Sequence, residues 1–335
     1  MLDERKSAIL KRVVAEHIET GQPVGSSHVV RDSAIDVSPA TVRADMATLE
    51  REGYLTHPHT SAGRIPTDLG YRFFVDQLDE TSALDRDGAQ RVDQFFARAH
   101  GELERMLKDT SQLLASLTDY AAVVVAPAHE ALTVCSLLVT RLNDQSGLLL
   151  VVLSNGAIDK HTLELGPSVT DDVIDRANAV LREQLVGGTL GQIPIRLPSN
   201  DPELAVLLAV CADAMAGNPI ARAEPNEVYV GGTARMAEQF EAVNTVREVL
   251  SILEQSLVVV SLLSDALTRE HSVAIGGETG VASLAECSLV VAPYEVGNEV
   301  VGAIGVLGPT RMNYAHALAA VAVVSQRLGR QLSAG

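Results

Sequence analysis

Aromatic side chains are scarce in this 335-residue chain. Phe, Trp and Tyr make up 3 % of the residues, and Trp is absent. Apolar residues nevertheless reach 47 %, so the hydrophobic cores must be built from Val, Leu, Ile and Ala. That apolar content excludes a generally disordered chain. The length exceeds the usual size of one hydrophobic core, so we expect two or three domains.

Long hydrophobic runs are also missing. No window approaches the roughly 18 consecutive uncharged apolar residues that indicate a membrane-spanning helix. The N-terminal sequence MLDERKSAILKRVV mixes acids with bases and lacks the apolar region of a signal peptide. These absences predict a soluble, cytoplasmic protein.

Motifs of catalysis and metal binding are lacking as well. The sequence contains no CxxC, HxxxH, GxSxG or HExxH pattern, and its nine histidines are scattered. The cysteines at positions 135, 211 and 287 lie far apart in apolar runs, which predicts reduced, buried thiols. We therefore expect no enzyme, no metal ion and no cofactor.

Basic residues are fewer than acidic residues, and the excess of acidic residues is unevenly distributed along the chain. The formal net charge is −17, and residues 1–78 hold nine Lys or Arg against eleven Asp or Glu. The first segment is thus near neutral at −2, while residues 79–335 carry −15. A near-neutral segment permits nucleic-acid binding without indicating it.

The first segment has a recognisable order of elements. An apolar stripe predicts a helix over residues 3–20, and the breaker sequence TGQPVGS precedes a short second helix. Ser38 followed by Pro39 is a favoured helix start, and the apolar face of this third helix holds Val42, Met46 and Leu49. Two short strands, 54–57 and 64–66, can then pair as a ribbon. This order is typical of a winged helix-turn-helix.

If the third helix reads DNA, its other face must enter the major groove. Small residues at 40 and 44 would permit close approach, and an arginine at 43 can donate two hydrogen bonds to guanine. Ser38, Thr41 and the helix N-terminus can hold a phosphate. The ribbon would contact the backbone or the minor groove. The candidate DNA-binding residues are Ser38, Ala40, Thr41, Arg43, Ala44, Thr48, His57, His59, Thr60, Ser61 and Arg64.

A plainer interpretation remains open on these residues alone. The third helix could be a capped amphipathic surface helix that exposes Arg43 to water, with an ordinary loop behind it. Local charge does not decide, because residues 57–72 contain two Arg and one Asp.

The remaining sequence alternates between strand and helix patterns. An acidic linker at 79–88 precedes a helical pattern over 89–119, which fits either a coiled coil or a helix laid on a sheet. Strand patterns at 121–165 give way to mostly helical sequence and return after residue 272, before a last helix near 312–333. An interrupted strand region predicts one domain inserted into another.

Several blocks of the sequence resemble one family. PVGSSHVV, VSPATVRADMATLEREGYL and HPHTSAGRIPTDLGYRFFVD near the start, and SVAIGGE, CSLVVAPY and GAIGVLGPTRMNY near the end, closely resemble the heat-inducible transcription repressor HrcA family. The resemblance implies an α+β multidomain fold with a GAF-like α/β domain and an inserted, mostly helical dimerisation domain. The expected division is a winged helix-turn-helix at 1–78, a linker at 79–88, the GAF-like domain at 89–167 and 270–335, and the inserted domain at 168–269.

The resemblance also implies a function. Members of this family bind as homodimers to an inverted-repeat operator of chaperone operons, repress transcription, and release the DNA on heat stress. Double-stranded DNA and the GroE chaperonin are the implied partners.

Two other functions stay in competition. A GAF-like domain can sense a small ligand, which would make the protein a metabolite-responsive repressor; the relevant sequence is IGGETG at 275–280. That sequence matches no nucleotide-binding motif, and turns or close strand packing account for its glycines. Alternatively, the winged helix serves protein contacts only, in which case DNA binding would not depend on Arg43.

Overall fold

The structure of the protein is a computed structural model, and it confirms the expected mixture of helix and sheet. It describes residues 2–30, 37–57, 63–78, 83–98, 103–127, 133–153, 158–167, 169–188, 196, 200–216, 227–240, 242–296 and 299–334.

The described residues from 2 to 78, here called the N-terminal unit, follow the predicted order. Asp3 and Ser38 accept hydrogen bonds from backbone amides and so cap the first and third helices. Gly21 ends the first helix in a left-handed conformation. The ribbon strands are antiparallel. The elements are α1 (Glu4–Thr20), α2 (Ser26–Val29), α3 (Pro39–Arg51), β1 (Leu55–Thr56), β2 (Ile65–Pro66) and α4 (Asp68–Val75).

A five-stranded antiparallel sheet, in the order β7-β3-β10-β9-β8, forms the centre of a second unit. Alternate residues of its strands enter different cores, because successive side chains of a strand point to opposite faces. We call this the five-stranded unit. Its elements, numbered in chain order, are α5 (Arg86–Arg98), α6 (Leu103–Thr118), β3 (Ala121–Val125), β7 (Val228–Gly231), α9 (Thr233–Glu238), α10 (Val243–Leu253), α11 (Ser256–Leu267), β8 (Val273–Ile275), β9 (Cys287–Val296), β10 (Glu299–Pro309) and α12 (Tyr314–Ala334).

A three-stranded antiparallel sheet, in the order β4-β5-β6, has a core of its own with two helices. We call this the three-stranded unit. Its strands alternate between buried and more exposed residues, so only one face of the sheet is covered. Its elements are β4 (Val134–Asn143), β5 (Ser146–Leu153), β6 (Ile158–Glu164), α7 (Asp171–Leu185) and α8 (Pro202–Ala216).

These two sheets divide the chain differently from the expected borders at 168 and 269. Strands β4, β5 and β6 lie before residue 168 but share a core with α7 and α8. Helices α9, α10 and α11 lie before residue 269 but pack on the five-stranded sheet. The chain leaves this sheet after Val125 and re-enters at Val228, which pairs with Val125. The three-stranded unit is therefore an insertion between two adjacent strands, and sequence patterns did not reveal which sheet each strand joins.

Three smaller expectations also need correction. The linker expected at 79–88 is shorter, because α5 begins at Arg86. The helical pattern over 89–119 belongs to two helices, and α6 packs its buried Leu107 and Leu114 into the core of the five-stranded unit rather than into a coiled coil. Cys135 is exposed, whereas burial of Cys211 and Cys287 raises the pKa of both thiols to about 12.

The N-terminal unit and the five-stranded unit share one continuous hydrophobic core. It includes Ile9 and Tyr71 on one side and Tyr314 and Leu328 on the other. The rings of Tyr71 and Tyr314 lie 6.1 Å apart between centroids. Arg311, which precedes the last helix, donates to the carbonyl of Gln239 at 2.9 Å and so has a structural role.

Each helix in the described part of the chain is short or interrupted by polar residues. No single helix there is long and apolar enough to cross a membrane. Helices α10 and α11 together meet the length and composition criteria but are bent by 93° at their junction.

Replacing Leu163 by Ala tests whether the three-stranded unit has a packed core. Leu163 is 1 % exposed on β6, and truncation leaves a cavity, so we expect the free energy of unfolding to fall by about 2–5 kcal/mol. Urea unfolding followed by circular dichroism measures this. Leu257→Ala is the control, because Leu257 is 72 % exposed and its truncation should change stability by less than about 0.5 kcal/mol. Equal effects would contradict a separate core.

Candidate nucleic-acid interface

Helix α3 presents two chemically different faces. Val42 and Leu49 are fully buried and Met46 nearly so, which confirms the predicted anchoring face. The opposite side exposes Ser38, Ala40, Arg43 and Ala44, and it half-exposes Thr41 and Thr48, all of them candidates. The two alanines leave room along this side, so that the backbone of α3 can approach a surface closely.

The start of α3 is fixed by its own sequence. The Ser38 hydroxyl accepts a hydrogen bond from the Thr41 amide at 3.2 Å and lies 3.0 Å from the Thr41 hydroxyl. Pro39 occupies the first turn, where its missing N–H removes no helical hydrogen bond. The first turn contains no acidic residue, so the positive end of the helix dipole faces solvent without a competing carboxylate of its own.

Arg43 is the exposed cation in the middle of this face. Among the described residues it has no hydrogen bond or ion pair, and its guanidinium is available to a partner molecule. Other bases nearby are engaged: Arg5 donates to Asp45 at 2.8 Å, and Arg51 donates to the Thr48 hydroxyl at 3.0 Å. The ion pair between Arg5 and Asp45 ties α1 to α3, and the sequence patterns did not indicate it.

Glu50 joins the end of α3 to the ribbon. Its carboxylate accepts a hydrogen bond from the Arg64 Nε at 2.8 Å, and its other oxygen lies 3.1 Å from the His57 Nδ1. Two of the candidate ribbon residues therefore contact an acid rather than presenting free donors. Sequence analysis missed Glu50, because no local pattern links it to residues seven and fourteen positions further on.

The ribbon is also held against the turn after α1. Val24 and Arg64 exchange two backbone hydrogen bonds, at 2.8 and 3.0 Å. A Cβ atom on Gly63 would lie 2.8 Å from the carbonyl carbon of Pro23, so only glycine permits this close approach. The candidates His59, Thr60 and Ser61 lie outside the described residues.

Comparison with known proteins identifies the relatives of this chain. Residues 104–318 match the family described as HrcA protein C terminal domain. The chain belongs to the HrcA family. Among similar relatives, the heat-inducible transcription repressor HrcA of Nocardia farcinica is 36 % identical over 99 % of this chain and 97 % of its own. The protein of the same name from Pelotomaculum thermopropionicum is 34 % identical over the same shares.

One solved structure shares the fold. It is a hypothetical protein whose crystal structure matches with a TM-score of 0.67 at 24 % identity, over 100 % of this chain and 99 % of that chain. The similarity covers the full length of this chain and concerns its fold alone.

An open cavity of about 730 Å³ lies between β9 and α12 and bears on the ligand-sensing alternative. The Tyr294 hydroxyl at its wall donates to the Val125 carbonyl at 2.7 Å, and the Ser325 hydroxyl donates to the Pro293 carbonyl. These two hydroxyl groups bond to the protein itself, and neither gives the ligand-sensing alternative specific support. Across the described residues, no cluster of His, Cys, Asp or Glu forms a metal site.

Ser38→Ala tests how much the cap contributes to the candidate interface. Loss of the hydrogen bond to the Thr41 amide should lower the free energy of unfolding by about 1 kcal/mol. Thermal unfolding by calorimetry measures the change. Ser27→Ala is the matched control, because Ser27 is exposed in α2 and caps nothing. Identical melting of parent, Ser38→Ala and Ser27→Ala would show that the cap is energetically neutral.

Proposed function

We propose that this chain is a winged helix-turn-helix repressor that binds as a homodimer to an inverted-repeat operator of chaperone operons and releases it on heat stress. The exposed face of α3 carries the proposal, since it combines Arg43, which has no partner among the described residues, with small neighbours and a capped N-terminus. Membership of the HrcA family supports the same function, because curated relatives are heat-inducible transcription repressors.

The geometry supports α3 as the reading helix and the ribbon as the wing. Guanine presents two acceptors in the major groove, and a free guanidinium can bind both. Ser38, Thr41 and the helix N-terminus can contact an adjacent phosphate. Arg64 has a different role in this proposal, because its ion pair with Glu50 positions the wing.

We infer that the five-stranded unit is the GAF-like domain and that the three-stranded unit is the inserted dimerisation domain. The separate core of the three-stranded unit supports this division, with borders set by the sheets rather than by residues 168 and 269. An inverted repeat requires two-fold symmetry in the protein, so a dimer must place two copies of α3 at the half-site spacing.

The outer face of the three-stranded sheet is the proposed dimer surface. Leu138 is 41 % exposed and pairs across the sheet with Leu150, while Ile158 is 54 % exposed and pairs with Val152. Neighbouring apolar side chains on one sheet face favour contact with a second copy, because burial removes apolar area from water.

A charge placed on that face should separate the subunits. We expect Leu138→Glu to abolish the dimer in sedimentation experiments and to weaken operator binding by at least about tenfold, because each half-site alone binds weakly. Val243→Glu is the control, since Val243 is 73 % exposed on α10 and outside this face. Dissociation of the Val243 variant alone would place the interface elsewhere.

The GroE chaperonin is the proposed protein partner. It would keep the repressor competent for DNA binding, and its diversion to unfolded clients on heating would end repression. Resemblance to the HrcA family supports this step.

Arg43→Ala tests the reading helix directly. We expect the parent to prefer an inverted-repeat duplex over a scrambled one in fluorescence-anisotropy titrations across salt concentrations. The variant should lose about 1–3 kcal/mol of that preference, as expected for one bidentate base contact.

Arg105→Ala is the matched control for the loss of charge. Its side chain is 82 % exposed on α6, in the five-stranded unit, so its removal should leave the preference unchanged. If parent and Arg43→Ala bind both duplexes alike, the titration is repeated with GroE. A preference that remains absent would contradict the repressor function.

A further inference from the structure

The N-terminal unit is attached to the five-stranded unit by a set of directional polar contacts. Arg72 on α4 donates from Nε to Glu278 at 3.0 Å and forms a second hydrogen bond to the same carboxylate. Its Nη2 also donates to the Val273 carbonyl at 2.8 Å. An i,i+4 pair between Arg72 and Asp76, at 3.3 Å, is only one of the four hydrogen bonds that Arg72 makes.

In a second polar contact between the two units, the five-stranded unit supplies the hydrogen-bond donor. Asp68, at the start of α4, accepts a hydrogen bond from the Gly277 amide at 3.0 Å. Gly276 has a φ of +52°, and a Cβ atom there would lie 2.3 Å from the Asp68 carboxylate. Gly276 of the IGGETG sequence thus permits the 275–280 turn to meet α4 closely.

Further hydrogen bonds within the five-stranded unit stabilise the turn formed by residues 275–280. Glu278 accepts a hydrogen bond from the Ile275 amide at 2.9 Å, and Arg269 donates to the Glu278 carbonyl at 2.6 Å. Burial alone would raise the pKa of the Glu278 carboxyl, but the hydrogen bonds from Arg72 and Ile275 outweigh it and lower that pKa. The carboxylate therefore stays ionised at neutral pH.

The polar contacts differ in kind from the apolar contact beside them. Tyr71 and Tyr314 approach at 6.1 Å between ring centroids, and apolar packing of this sort is non-directional. A guanidinium and a carboxylate joined by two hydrogen bonds have a fixed mutual geometry. With side chains only 18 % and 27 % exposed, Arg72 and Glu278 are also shielded from much of the screening that weakens surface pairs.

We propose that Asp68 and Arg72, bound to the 275–280 turn, set the rotation of the N-terminal unit on the five-stranded unit and thereby fix the half-site spacing that the dimer accepts. This inference rests on the proposed function, since it concerns how two reading helices are placed. In this role Arg72 and Glu278 are positioning residues and do not touch DNA.

The test compares affinity across duplexes whose half-site spacer is lengthened or shortened in single base pairs. Each added pair moves one half-site by about 3.4 Å and rotates it by roughly a tenth of a turn. For the parent we expect a sharp optimum, with about tenfold weaker binding one or two pairs away. In Glu278→Gln, which keeps the side-chain shape, that penalty should shrink to about threefold or less.

A double-mutant cycle assigns the effect to the contact. Arg72→Gln should flatten the profile as Glu278→Gln does, and the double variant should add little, because all three lose the same ion pair between Arg72 and Glu278. Asp109→Asn is the control, since it breaks the exposed Arg105–Asp109 pair on α6 and should leave the profile sharp. Binding to a single half-site duplex should stay within about twofold of the parent for every variant, because α3 is unchanged.

Three results would overturn the inference. A sharp, unshifted profile in both single variants would show that the contact does not set the rotation. An equal loss on single half-site and full duplexes would mean that the pair only stabilises the N-terminal unit. If the parent binds no inverted repeat at any spacing, even with GroE added, the repressor function itself fails and the inference falls with it.

Discussion

The position of α3, the proposed DNA-reading helix, depends on one continuous hydrophobic core that crosses from the N-terminal unit into the five-stranded unit. Residues as distant in sequence as Ile9 and Leu328 belong to it. Separating the two units would expose this apolar surface to water, which is unfavourable in proportion to the area exposed. Helix α3 is therefore attached to the body of the protein through this core, and in our proposal the polar contacts of Arg72 set its rotation.

Around the candidate interface, most of the described basic side chains contact an acidic side chain. Glu50 pairs with Arg64 and lies beside His57, and Asp45 pairs with Arg5, while Arg43 has no partner among the described residues. With −15 on residues 79–335, the body repels phosphates. Non-specific affinity for DNA, which rises with the number of phosphates neutralised, should be low. In the proposed complex, specific binding then requires both base contacts and two copies of α3.

The three-stranded unit can be inserted without disrupting the five-stranded sheet, because it lies between two strands that are neighbours in that sheet. Val125 and Val228 are paired neighbours on adjacent antiparallel strands, so the whole three-stranded unit replaces what would otherwise be a hairpin connection. Its own core means that it does not depend on the five-stranded sheet for burial. In the proposed dimer, this separate body carries the subunit contact while the N-terminal unit carries the DNA contact, and the five-stranded unit sets the geometry between them.

Local sequence determined the elements of the N-terminal unit, because caps and helical periodicity act over a few residues. Ser38 and Pro39 start α3, and the spacing of Val42, Met46 and Leu49 gives this helix a buried face. Sequence also located the strands, and family resemblance supplied the function. The assignment of strands to sheets, the ion pair of Glu50 with Arg64, and the contact of Arg72 with Glu278 were decided only by the tertiary structure. These depend on residues 14 to 206 positions apart, and local patterns carry no information about such distant pairing.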